Sequence, residues 1–170
     1  YNIAFIVDTS GSIGTSAMTS IKTQLATVFE TLINNAAKSD SGIVKVLLVD
    51  FDTRVEAQVS VNLSDAAGAK ADLQAVLTQM ASNSSDMTNY QDAFNAATTW
   101  FKSNDATSNV GAKNLTYFIT DGAPNMYTSV NDNPTLGVAS RNGSNVYFDS
   151  VVKNSNYVLG QTTSVTATIN

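Results

Sequence analysis

The chain has no cysteine and no histidine, only two prolines, and nine basic residues among 170. Without cysteine there is no disulfide, no thiolate metal site and no Cys nucleophile. Without histidine, this chain alone builds no Ser-His-Asp triad, no imidazole general acid and no His-ligated zinc site. Charged residues make up 14%, and the balance is acidic, 14 Asp+Glu against 9 Lys+Arg for a net charge of -5. Binding along a phosphate backbone needs clustered positive charge, so nucleic acid is not an expected partner. No apolar run approaches the ~20 residues that cross a bilayer, and direct membrane insertion is not expected. No secretory leader pattern is visible. The chain opens on Tyr1, one residue before a strand signal, as expected of a piece of a larger multidomain chain.

What is present is a globular composition. Hydrophobic residues account for 43% of 170, enough for one domain with a single sizeable core. Asn, Ser and Thr together make up about a third of the chain, well above ordinary usage. Bacterial surface and secreted proteins share that bias, so an extracellular or cell-surface location is expected.

Hydrophobic spacing sets the order of elements. Ile3 to Val7 is a continuous apolar run, as for a central strand covered on both faces. Met18, Ile21, Leu25, Val28, Phe29 and Leu32 recur at helical spacing and predict an amphipathic helix from Ser16 to about Asn34. Ile43 to Phe51 reads as a second buried strand. Val55, Ala57, Val59, Val61 and Leu63 then alternate with polar residues, so that strand has one wet face. Only three residues, Asp52-Thr53-Arg54, connect it to the strand before, which permits an antiparallel hairpin and places it at a sheet edge. Ser64 is placed to cap a helix carrying Leu73, Val76, Leu77 and Met80. Ala93, Phe94, Ala97, Trp100 and Phe101 mark a third helix, and Leu115 to Thr120 a further strand.

The expected fold is therefore α/β: a doubly wound, mostly parallel sheet with one antiparallel edge strand and helices on both faces. Residues 1–125 form its core. Residues 126–170 read as an insertion or an atypical, truncated C-terminal extension. Tyr127 to Asn145 reads as a long loop, with short strands possible only at Val146 to Val152 and Val165 to Ile169.

Three pieces of sequence carry chemistry. Asp8-Thr9-Ser10-Gly11-Ser12 leaves the first strand with a carboxylate and two hydroxyls on alternate positions. Thr88 lies in Asp86-Met87-Thr88-Asn89-Tyr90, before the third helix. Asp121 lies in Phe118-Ile119-Thr120-Asp121-Gly122, at the end of a strand. In a doubly wound sheet, ligands collect beyond the carboxyl ends of the strands where the strand order reverses. If the first strand and the Leu115 strand are neighbours there, Asp8 and Asp121 face each other, and Thr88 closes a ring of oxygens. An oxygen-only set suits a hard divalent cation, Mg²⁺ before Ca²⁺ or Mn²⁺. Two carboxylates leave such an ion with little excess negative charge, so it stays electrophilic toward a further carboxylate.

These motifs, in this order, resemble the metal-ion-dependent adhesion site of the von Willebrand factor type A family, whose fold is Rossmann-like. The resemblance implies that Ser10, Ser12 and Thr88 coordinate the cation, while Asp8 and Asp121 hold it, commonly through water. It also implies a protein or peptide partner that completes the coordination with an Asp or Glu. The run Phe-Ile-Thr-Asp-Gly-x-Pro-Asn in so uncharged a chain looks most like type A domains of large bacterial repeats-in-toxin adhesins.

Each piece also has a plain structural reading. Asp8 could cap a turn, Asp121-Gly122 is a common turn dipeptide, and Thr often starts a helix. Their conjunction at the expected convergence of loops favours the site. Trp100 and the Phe94/Phe101 stripe read as core, Asp52 as a turn former, and Asp86 as either a carboxylate behind the ligands or a solvated one. Asn131-Asp132-Asn133 resembles a fragment of a calcium loop but lacks the rest. Two other functions compete. A phosphotransferase using Asp8 as nucleophile would need a second Asp where Ser10 stands, and Gly11-Ser12-Ile13-Gly14-Thr15 lacks the Lys of a P-loop. A structural spacer with a vestigial site is the other. The expected function is a non-enzymatic, cation-dependent adhesion module.

Overall fold

The computed structural model describes residues 1–38, 42–84, 86–122, 124–128, 134–139 and 146–148. Four strands form the main sheet: β1 Asn2–Asp8, β2 Lys45–Phe51, β3 Val55–Asn62 and β4 Asn114–Ile119, in the order β3-β2-β1-β4. β1 pairs in parallel with β2 and with β4, and β2 pairs antiparallel with β3. The short Asp52–Arg54 connection thus makes β3 the antiparallel edge, as the period-two pattern requires. Helices α1 Gly14–Ala36, α2 Ala66–Gln79, α3 Tyr90–Lys102 and the short α4 Asn104–Thr107 complete the α/β body.

β1 and β2 are buried throughout, and their runs Ile3–Val7 and Val46–Val49 are apolar because both faces are covered. Ile3, Phe5 and Val7 pack with Val46 and Leu48 beneath α1 and α2. Ala4 and Ile6 pack with Leu47, Val49 and Phe51 against Ala93, Ala97 and Trp100 of α3. Side chains alternate across a strand, so a strand between two helical layers cannot alternate in polarity. The Trp100 indole is buried and donates to Ser60 Oγ (2.8 Å) and Asp105 Oδ2 (2.9 Å). Asp105 also anchors the buried Lys45 ammonium at 3.0 Å. Among the described residues, no helix is long and apolar enough to cross a membrane.

Several expectations are corrected. The cap of α2 is Asp65, whose carboxylate accepts Gly68 N at 3.1 Å, and not Ser64. Ser64 instead gives its own backbone N–H to Asn62 Oδ1, in the turn ahead of the helix. α1 starts at Gly14, two residues before Ser16, and Gly14 takes up a φ of +70° at this entry. α4 has too few residues to show a period. Val28, expected on the apolar stripe of α1, is 39% exposed, as is Leu115 on β4.

The segment expected as a loop carries strands β5 Met126–Thr128 and β6 Pro134–Ala139, while β7 Val146–Phe148 falls in the run expected as a short strand; the three pair antiparallel in the order β5-β6-β7. Three to six residues are too few for alternation to show in a sequence rich in Asn and Gly. The proposed strand at Val165 to Ile169, the end of the Val146 to Val152 run and the Asn131-Asp132-Asn133 fragment lie outside the described residues.

Phe51 is fully buried and stacks on Phe118 at 5.6 Å between ring centroids. Phe51→Ala is expected to destabilise the fold by about 3–5 kcal/mol, read as a lower urea midpoint at an unchanged slope.

Candidate functional site

β1 lies between β2 and β4, and the chain leaves it toward α1 and β2 on one side. It returns only much later, by way of α3, to β4 on the other side. The order therefore reverses between β1 and β4, and their parallel register sets Val7 beside Ile119. Asp8 and Asp121 consequently leave the sheet at the same end, as the strand-order argument required.

Asp8 is fully buried. Its Oδ1 accepts Ser10 N at 2.9 Å and its Oδ2 accepts Thr120 Oγ1 at 2.7 Å. Thr9 turns the opposite way: its hydroxyl donates to Asp50 Oδ1 (2.7 Å) and its N–H to the Phe51 carbonyl (2.8 Å). That alternation explains why Asp8, Ser10 and Ser12 share a side and Thr9 does not. Ser10 Oγ lies 3.3 Å from Ser12 Oγ, and Ser12 Oγ donates to Asp121 Oδ1 at 2.9 Å. Four of the five expected residues thus form one connected set.

Thr88 is buried on the neighbouring loop, two residues after Asp86, whose carbonyl accepts Gly11 N at 3.1 Å. Its backbone is pinned from the other side: Thr88 N donates to Asn125 Oδ1 (2.7 Å), and Asn125 N and Met126 N both donate to the Thr88 carbonyl (3.0 Å). The Asp52 turn braces the same loop. Asn89 N donates to the Asp52 carbonyl (2.8 Å), and Met87 N to Thr53 Oγ1 (3.1 Å). A Cβ on Gly11 would meet the Asn83 carbonyl oxygen at 2.6 Å and the Ser84 backbone at 2.9 Å. Only glycine lets the two loops come this close.

The donor set fits a hard cation by its chemistry. All candidate ligands are oxygens, two ionisable and three neutral. The ion pairs among the described residues are Lys45–Asp105 and Lys70–Glu30, so no basic side chain neutralises Asp8 or Asp121. A buried carboxylate without a counter-charge is expensive, and a divalent ion would supply one. No three His, Cys, Asp or Glu side chains converge as a cage among the described residues; such a site would depend on its hydroxyls. Asp86 Oδ2 is the buried side-chain oxygen left without a partner there.

Sequence reasoning missed the supports of these residues. Thr120 holds Asp8, Asn125 holds Thr88, and Ser82 Oγ donates to the Ser10 carbonyl (2.7 Å) while accepting Gly14 N (3.1 Å). Thr120 and Asn125 stand beside quoted motif residues, so proximity to the motif was a usable signal. Ser82 offered none.

The family model for the von Willebrand factor type A domain matches residues 2–167. The von Willebrand factor domain of the type V pili tip protein Mfa5 from Porphyromonas gingivalis is similar at 14% identity and a TM-score of 0.59, over 76% of this chain and 40% of that one. The PilB minor pilin from Streptococcus sanguinis gives 16% and 0.59, over 98% and 45%. The pilus adhesin SpaC from Lactobacillus rhamnosus GG, in its open conformation, gives 16% and 0.57, over 98% and 22%. The chain therefore spans less than half of each of these proteins. At such identities the likeness establishes the fold. No curated protein sequence matches the chain.

Two measurements test this geometry. Gly11→Ala is expected to cost about 1–3 kcal/mol through overpacking, seen as a lower thermal midpoint. Burial pushes the Asp52 carboxyl up to about 7, with Glu56 adding to the rise; burial pushes Asp50 up to about 6 against the pull of the Thr9 hydroxyl. Between the ordinary carboxyl value and these raised values, the folded chain binds more protons than the unfolded one. Their contribution to stability is therefore complete below about pH 4 and is lost as pH rises to about 7. Asp52→Asn is expected to flatten that fall, measured by urea denaturation at pH 4, 5.5 and 7.5.

Proposed function

The chain belongs to the von Willebrand factor type A family, and from that premise we propose that it is a non-enzymatic, cation-dependent adhesion module of a secreted or cell-surface protein. Ser10, Ser12 and Thr88 would coordinate the ion through neutral hydroxyls. Asp8 and Asp121 would supply the negative charge, commonly through water as the family resemblance implies, with Ser10 N and Thr120 Oγ1 orienting the Asp8 carboxylate. Mg²⁺ fits best, with Mn²⁺ or Ca²⁺ accepted by the same oxygens. When bound, the ion supplies a Lewis-acidic vertex. Hydroxyl ligands leave that vertex electron-poor, so a Glu or Asp carboxylate of a partner protein completes it.

The observation that carries this reading is the connected set Asp8–Ser10–Ser12–Asp121, drawn from two ends of the sequence and gathered where the strand order reverses. The similarity to pilus proteins supports a surface location and a larger parent chain, which we take to be an adhesin of the repeats-in-toxin kind. Titration calorimetry with Mg²⁺ and Mn²⁺ is expected to give one site per chain, with Asp8→Ala lowering affinity at least a hundredfold and Asp86→Asn changing it far less. Wild-type affinity retained in Asp8→Ala contradicts the proposal.

A further inference from the structure

One side-chain cluster touches all three stretches that form the candidate site. Tyr90, the first residue of α3 and two positions after Thr88, donates its phenol to the Gly122 carbonyl. The same oxygen lies 3.0 Å from Thr120 Oγ1. Thr120 Oγ1 donates to Asp8 Oδ2 at 2.7 Å and lies 3.3 Å from Gly122 N, which donates to it. A hydroxyl has one proton to give. Thr120 gives its proton to the carboxylate and accepts from Gly122 N, leaving the phenol proton to be shared between Gly122 O and Thr120 Oγ1. The Asp8 loop, the start of α3 and the Asp121-Gly122 turn are thereby tied through two hydroxyls.

We infer that Thr120 and Tyr90 are positioning residues of the cation site, Thr120 by orienting the Asp8 carboxylate and Tyr90 by fixing the Asp121 turn against the helix that follows Thr88. The inference rests on the cation-binding reading above. Thr120 is the side-chain donor that the described residues offer to Asp8; the other bond to this carboxylate comes from the backbone of Ser10. Removing the Thr120 hydroxyl leaves Asp8 Oδ2 without its donor and frees the carboxylate to rotate. Removing the Tyr90 hydroxyl leaves the turn that bears Asp121, among the described residues, with the Gly122 N bond to Thr120 Oγ1 and the Ser12 bond to Asp121 but without its tie to α3. Partners behind the ligands of a metal typically control affinity by 10–100-fold.

The ring of Tyr90 has its own support, edge-on to Phe118 at 4.7 Å and to Phe51 at 6.2 Å. Tyr90→Phe keeps that packing and deletes only the hydroxyl, which separates positioning from folding. The experiment is Mn²⁺ titration calorimetry on wild type, Tyr90→Phe, Thr120→Val, Thr120→Ser and Asp8→Ala, with thermal unfolding of each in chelator. Thr120→Val is expected to weaken Mn²⁺ binding about 10–100-fold and Tyr90→Phe about tenfold. Thr120→Ser, which restores the hydroxyl, is expected to bind like wild type. Tyr90→Phe and Thr120→Ser should melt close to wild type without metal.

Normal Mn²⁺ affinity in both Tyr90→Phe and Thr120→Val, with binding lost in Asp8→Ala, overturns this inference and leaves the cation reading standing. Failure of Thr120→Ser to rescue, or affinity losses that only track lost melting temperature, also overturns it. Should Thr120→Val not fold, Tyr90→Phe decides alone. Absence of Mn²⁺ binding by wild type removes the cation reading, and this inference with it.

Discussion

The buried carboxylate of Asp8 is the constraint around which the upper end of this molecule is arranged. An ionised carboxylate removed from water costs several kcal/mol unless hydrogen bonds and an opposite charge offset the loss. Here two neutral donors, Ser10 N and Thr120 Oγ1, engage its oxygens, and among the described residues no basic side chain forms an ion pair with it. In the proposed cation site, a divalent ion beside Ser10, Ser12 and Asp121 would offset that charge, with hydroxyls rather than lysines or arginines as its neighbours. The other end of the sheet shows the contrast: there Lys45 meets Asp105 directly, and the network closes on itself with Ser60 and Trp100.

The fold supplies the convergence. β1 is covered on both faces, by α1 and α2 on one side and α3 on the other, so its position in the sheet is fixed by two separate cores. Parallel pairing with β4 then brings residues more than a hundred positions apart to adjacent loops. Backbone hydrogen bonds between loops do the rest. Gly11 meets the Asn83–Asp86 segment, and the Asp52 turn meets Met87 and Asn89. The site is thus shaped more by its scaffold than by its ligands. Some of that scaffold is unfavourable by itself, as the raised carboxyls of Asp50 and Asp52 show.

Much of this could be read from residue order. The structure keeps the continuous Ile3–Val7 run, the alternation from Val55 to Leu63 and the helical spacing of the Leu73–Met80 stripe. The alternation of strands and helices implied a doubly wound sheet, and the condition that β1 and β4 be neighbours at the reversal is met by the observed order. What could not be read depended on contacts without a sequence period. Asp65 and Ser64 are both good caps, and only the path of the chain selects Asp65. Thr120 looked like a strand terminus; its hydroxyl matters because β4 lies beside β1. Ser82 joins the site from a polar loop with no pattern. β5 and β6 are too short for alternation to distinguish strand from turn, whereas the apolar run at Val146 already suggested the strand β7.

Anomalous scattering from a crystal soaked in Mn²⁺ tests the central claim most directly. The account predicts a single strong peak within bonding distance of Ser10 Oγ, Ser12 Oγ and Thr88 Oγ1, with Asp8 and Asp121 around it. A map with no peak there at saturating Mn²⁺, or with the ion bound only to other carboxylates, contradicts it.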